Sequence, residues 1–512
     1  MNTEVIIVGA GPTGLALACQ LIRHNIDFVI IDRKETTTPH SKAIGVQARS
    51  LEIYEQIGLA DKLVALGARA DGVRLVEGGE VRGHVELSDL GEGMSPYPFL
   101  LLVEQGLHEK MLYDFIKASG KDVRWQTALE SFSQTEAGVT AIVKTADGAG
   151  ATVEAKFLVG CDGAKSSVRN ALGLTFEGST FERLFYVADV DIDWEFPHDA
   201  LMVFLMKTNL LAFFPMVGAN RWRIVGTFPE EFAKDEGDIL YEEIEQQIRK
   251  DTELPNLDIT KVNWFSVYKV HSRRVNKFSN GRCFLAGDSA HIHTPAGAQG
   301  MNTGIQDGYN LAWKLAFVLR GRASLSLLET YDEERVANAK RLLQTTDRIF
   351  DFGASEEPLI AFFRTRIFPY IAGFALHFDA VKRFIFPLVS QIGINYRKSS
   401  LSFERGVFKV RAGDRLPFFT IDGASIYEKL KEPKFHLLSF FDGTNRAPEF
   451  TENDSIEAFE LPLYPNIAEI FGASKTFSVL VRPDNYIGLI TEDLSGEDLR
   501  QYLAKFGSAD AG

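Results

Sequence analysis

Val5-Ile6-Ile7-Val8-Gly9-Ala10-Gly11-Pro12-Thr13-Gly14 stands near the start of the chain, and Phe28-Val29-Ile30-Ile31-Asp32 follows one apolar, helix-patterned stretch later. The β-branched run before Gly9 reads as a strand, and Gly9, Gly11 and Gly14 form Gly-x-Gly-x-x-Gly. Leu15, Ala18, Leu21 and Ile22 then fall on one side of a helix, and the second apolar run ends on an acid. Strand, glycine turn, helix, strand and acid in this register predict a βαβ unit with a dinucleotide fingerprint. Gly9 permits the tight turn, Gly11 lets backbone approach a pyrophosphate, and Gly14 lets the helix pack close to the sheet. The pyrophosphate is expected against the free N–H groups and positive end of that helix. Asp32, with Arg33 beside it, is placed to hold a ribose. The fingerprint by itself fits NAD and FAD equally.

At 512 residues the chain exceeds one hydrophobic core, so about two to four domains are expected. Hydrophobic content of 45% and charged content of 24% are those of a soluble globular protein. A net charge of −14 leaves no basic surplus to neutralise phosphates, which argues against a nucleic-acid partner. Cys19, Cys161 and Cys283 each lie in an apolar segment. They predict no disulfide framework and a reducing, cytoplasmic location. The first strand begins too early to leave room for a signal peptide. The apolar stretch 367–378 is too short to span a bilayer and is flanked by Arg364, Arg366 and Lys382, so no membrane span is expected.

Further along, helical spacing is expected after Gln47 and again after Gln105, with short strands at 72–90 and β-rich runs at 123–159. Gly160-Cys161-Asp162-Gly163 is a second strand running into a glycine turn, with Arg169 close behind. Residues 185–228 are strand-rich and aromatic. Cys283-Phe284-Leu285-Ala286-Gly287-Asp288 is a third buried strand broken by Gly-Asp. A Gly-rich loop from Pro295 to Gly304 follows, and then a long helical region.

In order, Gly9-x-Gly11-x-x-Gly14, Asp162-Gly163 with Arg169, and Gly287-Asp288 with its Gly-rich sequel resemble the motifs of the FAD-dependent aromatic hydroxylases. These are the single-component flavoprotein monooxygenases related to p-hydroxybenzoate and phenol hydroxylases. The resemblance covers about residues 1–345 and implies non-covalently bound FAD. It implies that Asp162 and Gly163 serve FAD and a passing NADPH or NADH, and that Asp288 binds the ribityl chain. Gly297, Gly300, Met301 and Asn302 would present backbone to the flavin ring, with the Pro295 carbonyl near the substrate. Arg49 and Gln105 match positions contacting the phosphate and ribityl region; a bland alternative for Arg49 is a surface pair with Glu52. His291 reads as a packed residue of the Gly-Asp turn rather than a base, because the hard step belongs to the cofactor.

The activity this resemblance implies is NAD(P)H- and O2-dependent hydroxylation of a phenolic or polycyclic aromatic small molecule through a C4a-hydroperoxyflavin. Alternatives are oxidative inactivation of a bulky antibiotic of rifamycin or tetracycline type, and a flavoprotein without oxygenase activity. The chemistry needs a dry cavity, and Met202, Phe204, Phe213, Phe214, Met216 and Trp222 are candidate walls. Half of them should be ordinary core, since neighbours in a strand face opposite sides. The tail carries Ala412-Gly413-Asp414-Arg415-Leu416-Pro417 and Val481-Arg482-Pro483-Asp484. These resemble markers of the phenol hydroxylase and polyketide or antibiotic hydroxylase branch.

The expected fold is α/β. A Rossmann-like FAD-binding domain (1–180 and 270–345, with a strand insertion near 72–100) is interleaved with a β-sheet substrate domain (181–269). A helical connector (346–400) leads to a thioredoxin-like domain (401–512) without redox cysteines. A homodimer is compatible with the family, and no metal is expected.

Overall fold

The computed structural model describes residues 1–512 except 40–42, 89, 207–208, 230–231, 233–235, 295, 355–356, 358–377, 444–454 and 508–512. Val5–Val8 lies at the centre of a six-stranded sheet ordered Ser279–Asn280, Cys283–Leu285, Phe157–Gly160, Val5–Val8, Phe28–Ile31, Val123–Arg124. All neighbours are parallel except the first pair. The central strands are buried along their whole length, which is why they read as unbroken apolar runs rather than alternating ones. Helix Pro12–Arg23 crosses between the first two strands and packs against a long helix, Gly300–Leu319.

A second, eight-stranded sheet is ordered His291–Ile292, Asp258–Arg274, Glu177–Asp193, Arg221–Thr227, Leu210–Pro215, Ala200–Leu205, Gly72–Glu77, Glu80–Glu86. The hairpin at 72–86 is therefore the edge of this sheet, not an insertion in the nucleotide-binding unit. The expected boundaries at 180/181 and 269/270 fall inside two paired strands of 17 residues each. Both strands lie in the eight-stranded sheet and pair along their length, with no linker at either boundary for composition to mark.

The tail forms a five-stranded sheet, ordered Phe403–Arg405, Ile487–Thr491, Phe477–Val481, Phe435–Phe441, Ile456–Pro462. Its central pairs are antiparallel and both edge pairs parallel. One face, with Leu437, Leu480 and Leu489, packs on Trp313 and Phe317 of the long helix; the other, with Leu438, Val479 and Ile490, has its own core. Helices Glu329–Ala354 and Asp379–Val389 occupy part of the expected connector, residues 390–400 follow without a helix, and 355–356 and 358–377 lie outside the described residues. No helix among the described residues is long and apolar enough to cross a membrane.

Candidate active site

Parallel pairing brings the carboxyl ends of four strands to one edge of the first sheet: Gly9 after Val8, Asp32 after Ile31, Asp162 after Gly160, and Gly287 after Leu285. Backbone bonds tie these ends together, from Gly9 N–H to the Ile31 carbonyl and from Ala286 N–H to the Gly160 carbonyl (2.8 and 3.0 Å). Ligands in open α/β sheets bind at such an edge.

The glycines differ in what they make room for. Gly9 has φ +107°, and a Cβ there would lie 2.4 Å from the Cys161 carbonyl oxygen; one at Gly14 would lie 1.9 Å from the Gly9 carbonyl oxygen. These two serve the chain's own packing. A Cβ at Gly11 or Gly163 would meet no protein atom within 4 Å, so both present bare backbone to an open cradle. Helix Pro12–Arg23 has no side-chain cap and no acid in its first turn. Its first N–H groups therefore face that cradle with their positive partial charge.

Asp32 accepts from Ala10 N–H (2.7 Å) and Lys34 N–H (2.8 Å), which fixes the carboxylate at the strand end; Arg33 is exposed beside it. Asp162 spends both oxygens on the next helix, accepting from Ser166 Oγ, Ser167 N–H and Oγ, and Val168 N–H. It holds the first turn of helix Ser167–Ala171, and Gly163 beside it presents bare backbone. Arg169 donates to the Ala164 and Ser289 carbonyls (2.8 and 3.0 Å) and thereby ties the second glycine turn to the third.

Asp288 is unlike its neighbours. It is open to solvent, and no described residue donates a hydrogen bond to it. Crowding by protein atoms raises its carboxyl above the ordinary value, with Asp307 adding to this and His291 opposing it. Beneath the same turn, the buried Asp307 accepts from Gly287 N–H (2.9 Å), His291 (2.7 Å) and Arg335 Nε (2.6 Å). Burial alone would raise its carboxyl; Arg335, then His291, hold it below the ordinary carboxylate range. His291 is buried, engages Asp307 through Nε2 and stacks on Phe278, in keeping with a packed residue.

The Gly-rich loop is pinned by Asn302, fully buried at the start of the long helix. Its Oδ1 accepts from Gln47 N–H and Ser50 Oγ, and its Nδ2 donates to the Gly45 and Ala298 carbonyls. Gly297, at φ +75°, is exposed, and its carbonyl accepts from Gln47 Nε2. Helix Gly300–Leu319 has no side-chain cap, so Gly300 and Met301 offer free N–H groups. Glycines four apart let this helix approach its neighbour: a Cβ at Gly304 would lie 2.3 Å from Thr13 Oγ1, and one at Gly308 3.2 Å from Leu17 Cβ. Gly304-x-x-x-Gly308 is the mark this contact leaves in the sequence. Pro295 lies outside the described residues.

One expected contact sits elsewhere. Arg49 is fully buried, pairing with Glu52 (3.1 Å) and donating to the Asp484 carbonyl (2.8 Å), between the aromatic rings of Tyr309 and Tyr486. It is neither at the open edge nor in a surface pair: its guanidinium joins the first unit to the tail. Gln105, by contrast, is half-buried and donates to Glu109, which lies 3.7 Å from the Lys34 ammonium beside Asp32.

The aromatic walls divide by parity. Met202, Phe204, Phe213 and Trp222 pack with Ile244 and Ile248 of helix Tyr241–Thr252, in a core on the outer face of the eight-stranded sheet. They are not cavity walls. Phe214, Met216 and Leu201 lie on the inner face and cluster with Ile44 and Leu102 of the nucleotide-side unit. Inner-face residues are thus the ones on the side of the nucleotide-binding unit.

Comparison with known proteins meets this geometry at the cofactor. The model of the FAD binding domain family matches residues 2–346. The chain belongs to that family. A flavin-dependent monooxygenase of Mycobacteroides abscessus is 33% identical over 98% of this chain and 99% of its own. A rifampicin monooxygenase of Streptomyces venezuelae is 30% identical over 99% of this chain and 100% of its own. The solved structure of an anhydrotetracycline hydroxylase from Streptomyces rimosus superposes with TM-score 0.78 at 27% identity, covering 99% of both chains. This family member is a flavin-dependent monooxygenase, and FAD is its cofactor. The open cradles at Gly11 and Gly163, the uncapped helix ends and the unpartnered Asp288 fit FAD.

Proposed function

We propose that the chain hydroxylates a phenolic or polycyclic aromatic small molecule, consuming one NAD(P)H and one O2 per turnover and releasing water. FAD, when bound, supplies the hydride acceptance and oxygen activation that side chains lack. Asp288 accepts hydrogen bonds from ribityl hydroxyls, and Asp32 holds the adenosine ribose with Arg33 at the cradle rim. Bare backbone at Gly11 and Gly163 admits the pyrophosphate. Gly297, Gly300, Met301 and Asn302 set the backbone donors that face the ring. Phe214, Met216 and Leu201 exclude water and hold the aromatic ring. The observation that carries this reading is the unpartnered Asp288 on the same sheet edge as the fingerprint.

Several finer points belong to the same reading. The tail is thioredoxin-like in its mixed five-stranded sheet; with no cysteine in 401–512 it serves structure or interaction. Three buried free thiols favour a cytoplasmic setting. Sedimentation of the purified protein tests a homodimer. Whole-length similarity to a rifampicin monooxygenase supports a second reading, inactivation of a bulky antibiotic. NAD(P)H oxidation with product analysis across phenols, polycyclic aromatics, a rifamycin and a tetracycline tests both. Failure of every compound to raise NAD(P)H consumption would contradict both.

A further inference from the structure

Segment 43–47 runs between the loop of the long helix and the inner face of the eight-stranded sheet, and three successive carbonyls in it are taken by different parts of the molecule. The Ala43 carbonyl accepts from Arg223 Nη1 (2.9 Å), that of Ile44 from Val103 N–H (2.7 Å), and that of Gly45 from Asn302 Nδ2 (3.0 Å). Gln47 completes the link: its N–H donates to Asn302 Oδ1 (2.9 Å) and its Nε2 to the Gly297 carbonyl (3.1 Å). A Cβ at Gly45 would stand 2.7 Å from the Ala298 Cβ, so the segment lies directly against the Gly-rich loop. These contacts lead from one side chain of the sheet to the backbone of 297–302.

Arg223 has little freedom of its own. Its Nε and Nη2 each donate to one oxygen of Asp189, both at 2.7 Å, across a pair of opposed residues in neighbouring strands. Arg223 is 1% and Asp189 4% exposed, and the guanidinium lies 5.9 Å from the Trp264 ring. A bidentate pair fixes the guanidinium plane as well as its place, so Nη1 is aimed at a single spot, and the Ala43 carbonyl fills it. An apolar pair could fill such a buried space at no loss of stability. What the ion pair adds is direction.

We propose that Arg223, oriented by Asp189, is a positioning residue that clasps the inner face of the substrate-side sheet to the 297–302 loop through segment 43–47. It thereby sets the gap between the flavin ring and a bound aromatic. This rests on the reading that the ring lies against that loop. Misplacing reacting groups by about 1 Å can cost on the order of 100-fold in rate, so a slackened clasp releases reducing equivalents as peroxide.

The test compares the FAD-loaded parent with Arg223→Lys and with the double variant Asp189→Leu/Arg223→Met, which buries no lone charge and keeps the volume filled. Flavin fluorescence yield reads ring packing without turnover; melting temperature and peroxide released per NAD(P)H consumed are measured alongside. The double variant is expected to keep its FAD content and melting temperature, to brighten in flavin fluorescence, and to lose about tenfold in product per NAD(P)H. Lysine, which keeps one donor, should fall between. Parent fluorescence and parent coupling in the double variant overturn the proposal, as does a lowered melting temperature with unchanged fluorescence. Should the double variant not fold, Arg223→Lys decides by the same criteria. A parent that hydroxylates no aromatic tells against the proposed function instead, and the fluorescence comparison still decides the clasp.

Discussion

A side chain added at Gly11 would meet no protein atom within 4 Å, whereas one at Gly9 would stand 2.4 Å from a carbonyl oxygen. Gly11→Ala should therefore fold with the parent's melting temperature as apoprotein and bind FAD about ten- to 100-fold more weakly, since only the ligand is displaced. Gly9→Ala should lower the melting temperature of the apoprotein itself. Isothermal titration with FAD, run beside thermal unfolding without it, separates the two. Asp288→Asn should weaken FAD without destabilising the apoprotein, because no described residue leans on that carboxylate; equal FAD affinity in parent and variant would remove Asp288 from the site. The fingerprint was legible because glycine spacing and strand apolarity are local. Asp307 and Arg335 were not: the pair closes across 28 residues, and neither carries a local pattern. Arg49 misled for the same reason, since its partner carbonyl at Asp484 lies 435 residues away.

Among the elements, the strand at 210–215 makes the sharpest contrast. Phe213 is fully buried on the outer face, its ring 4.9 Å from Trp194 and 5.2 Å from Phe204, while Phe214 points to the inner face. Phe213→Ala should cost about 3–5 kcal/mol in chemical denaturation and leave the ratio of peroxide to product alone. Phe214→Ala should raise that ratio with a smaller loss of stability; the reverse pattern would put the substrate on the other face. Alternation told that the aromatic list had to divide. It did not tell which parity faced the cofactor, because both faces are apolar, one against helix Tyr241–Thr252 and one against the nucleotide-side unit. The two strands of 17 residues hid their full extent likewise, since nothing in their composition marks the points where the expected boundaries cut them.

At the scale of the whole molecule, the tail is keyed to the rest by buried charge. Glu334 accepts from Arg482 (2.6 and 3.0 Å) and Lys314 (2.8 Å), all fully buried, and Arg482 also pairs with Asp484. Arg482→Ala should cost about 3–5 kcal/mol, because it leaves Asp484 buried without its cation and Glu334 with Lys314 alone; thermal unfolding followed by flavin release would register it. Acid should act through histidine. His108, fully buried beside Tyr54, is pushed down by burial to about 4 from an ordinary 6.5, and His436, also buried, to about 3. Both are neutral when folded, so below pH 6.5 the unfolded chain binds protons that the folded chain refuses. Their contribution is complete above pH 6.5 and is lost as pH falls toward 4, about 2 kcal/mol per imidazole by pH 5. Urea midpoints at pH 7 and pH 5 check this, and His108→Gln should shrink the difference. The central claim, that a flavin on this sheet edge passes oxygen to an aromatic ring across the inner face, is tested most directly by isotopically labelled O2. With the FAD-loaded protein, NAD(P)H and a panel of phenols and polycyclic aromatics, the account predicts one labelled oxygen atom in the hydroxylated product, absent when NAD(P)H is withheld. Label recovered only in peroxide and water, with every aromatic unchanged, would contradict it.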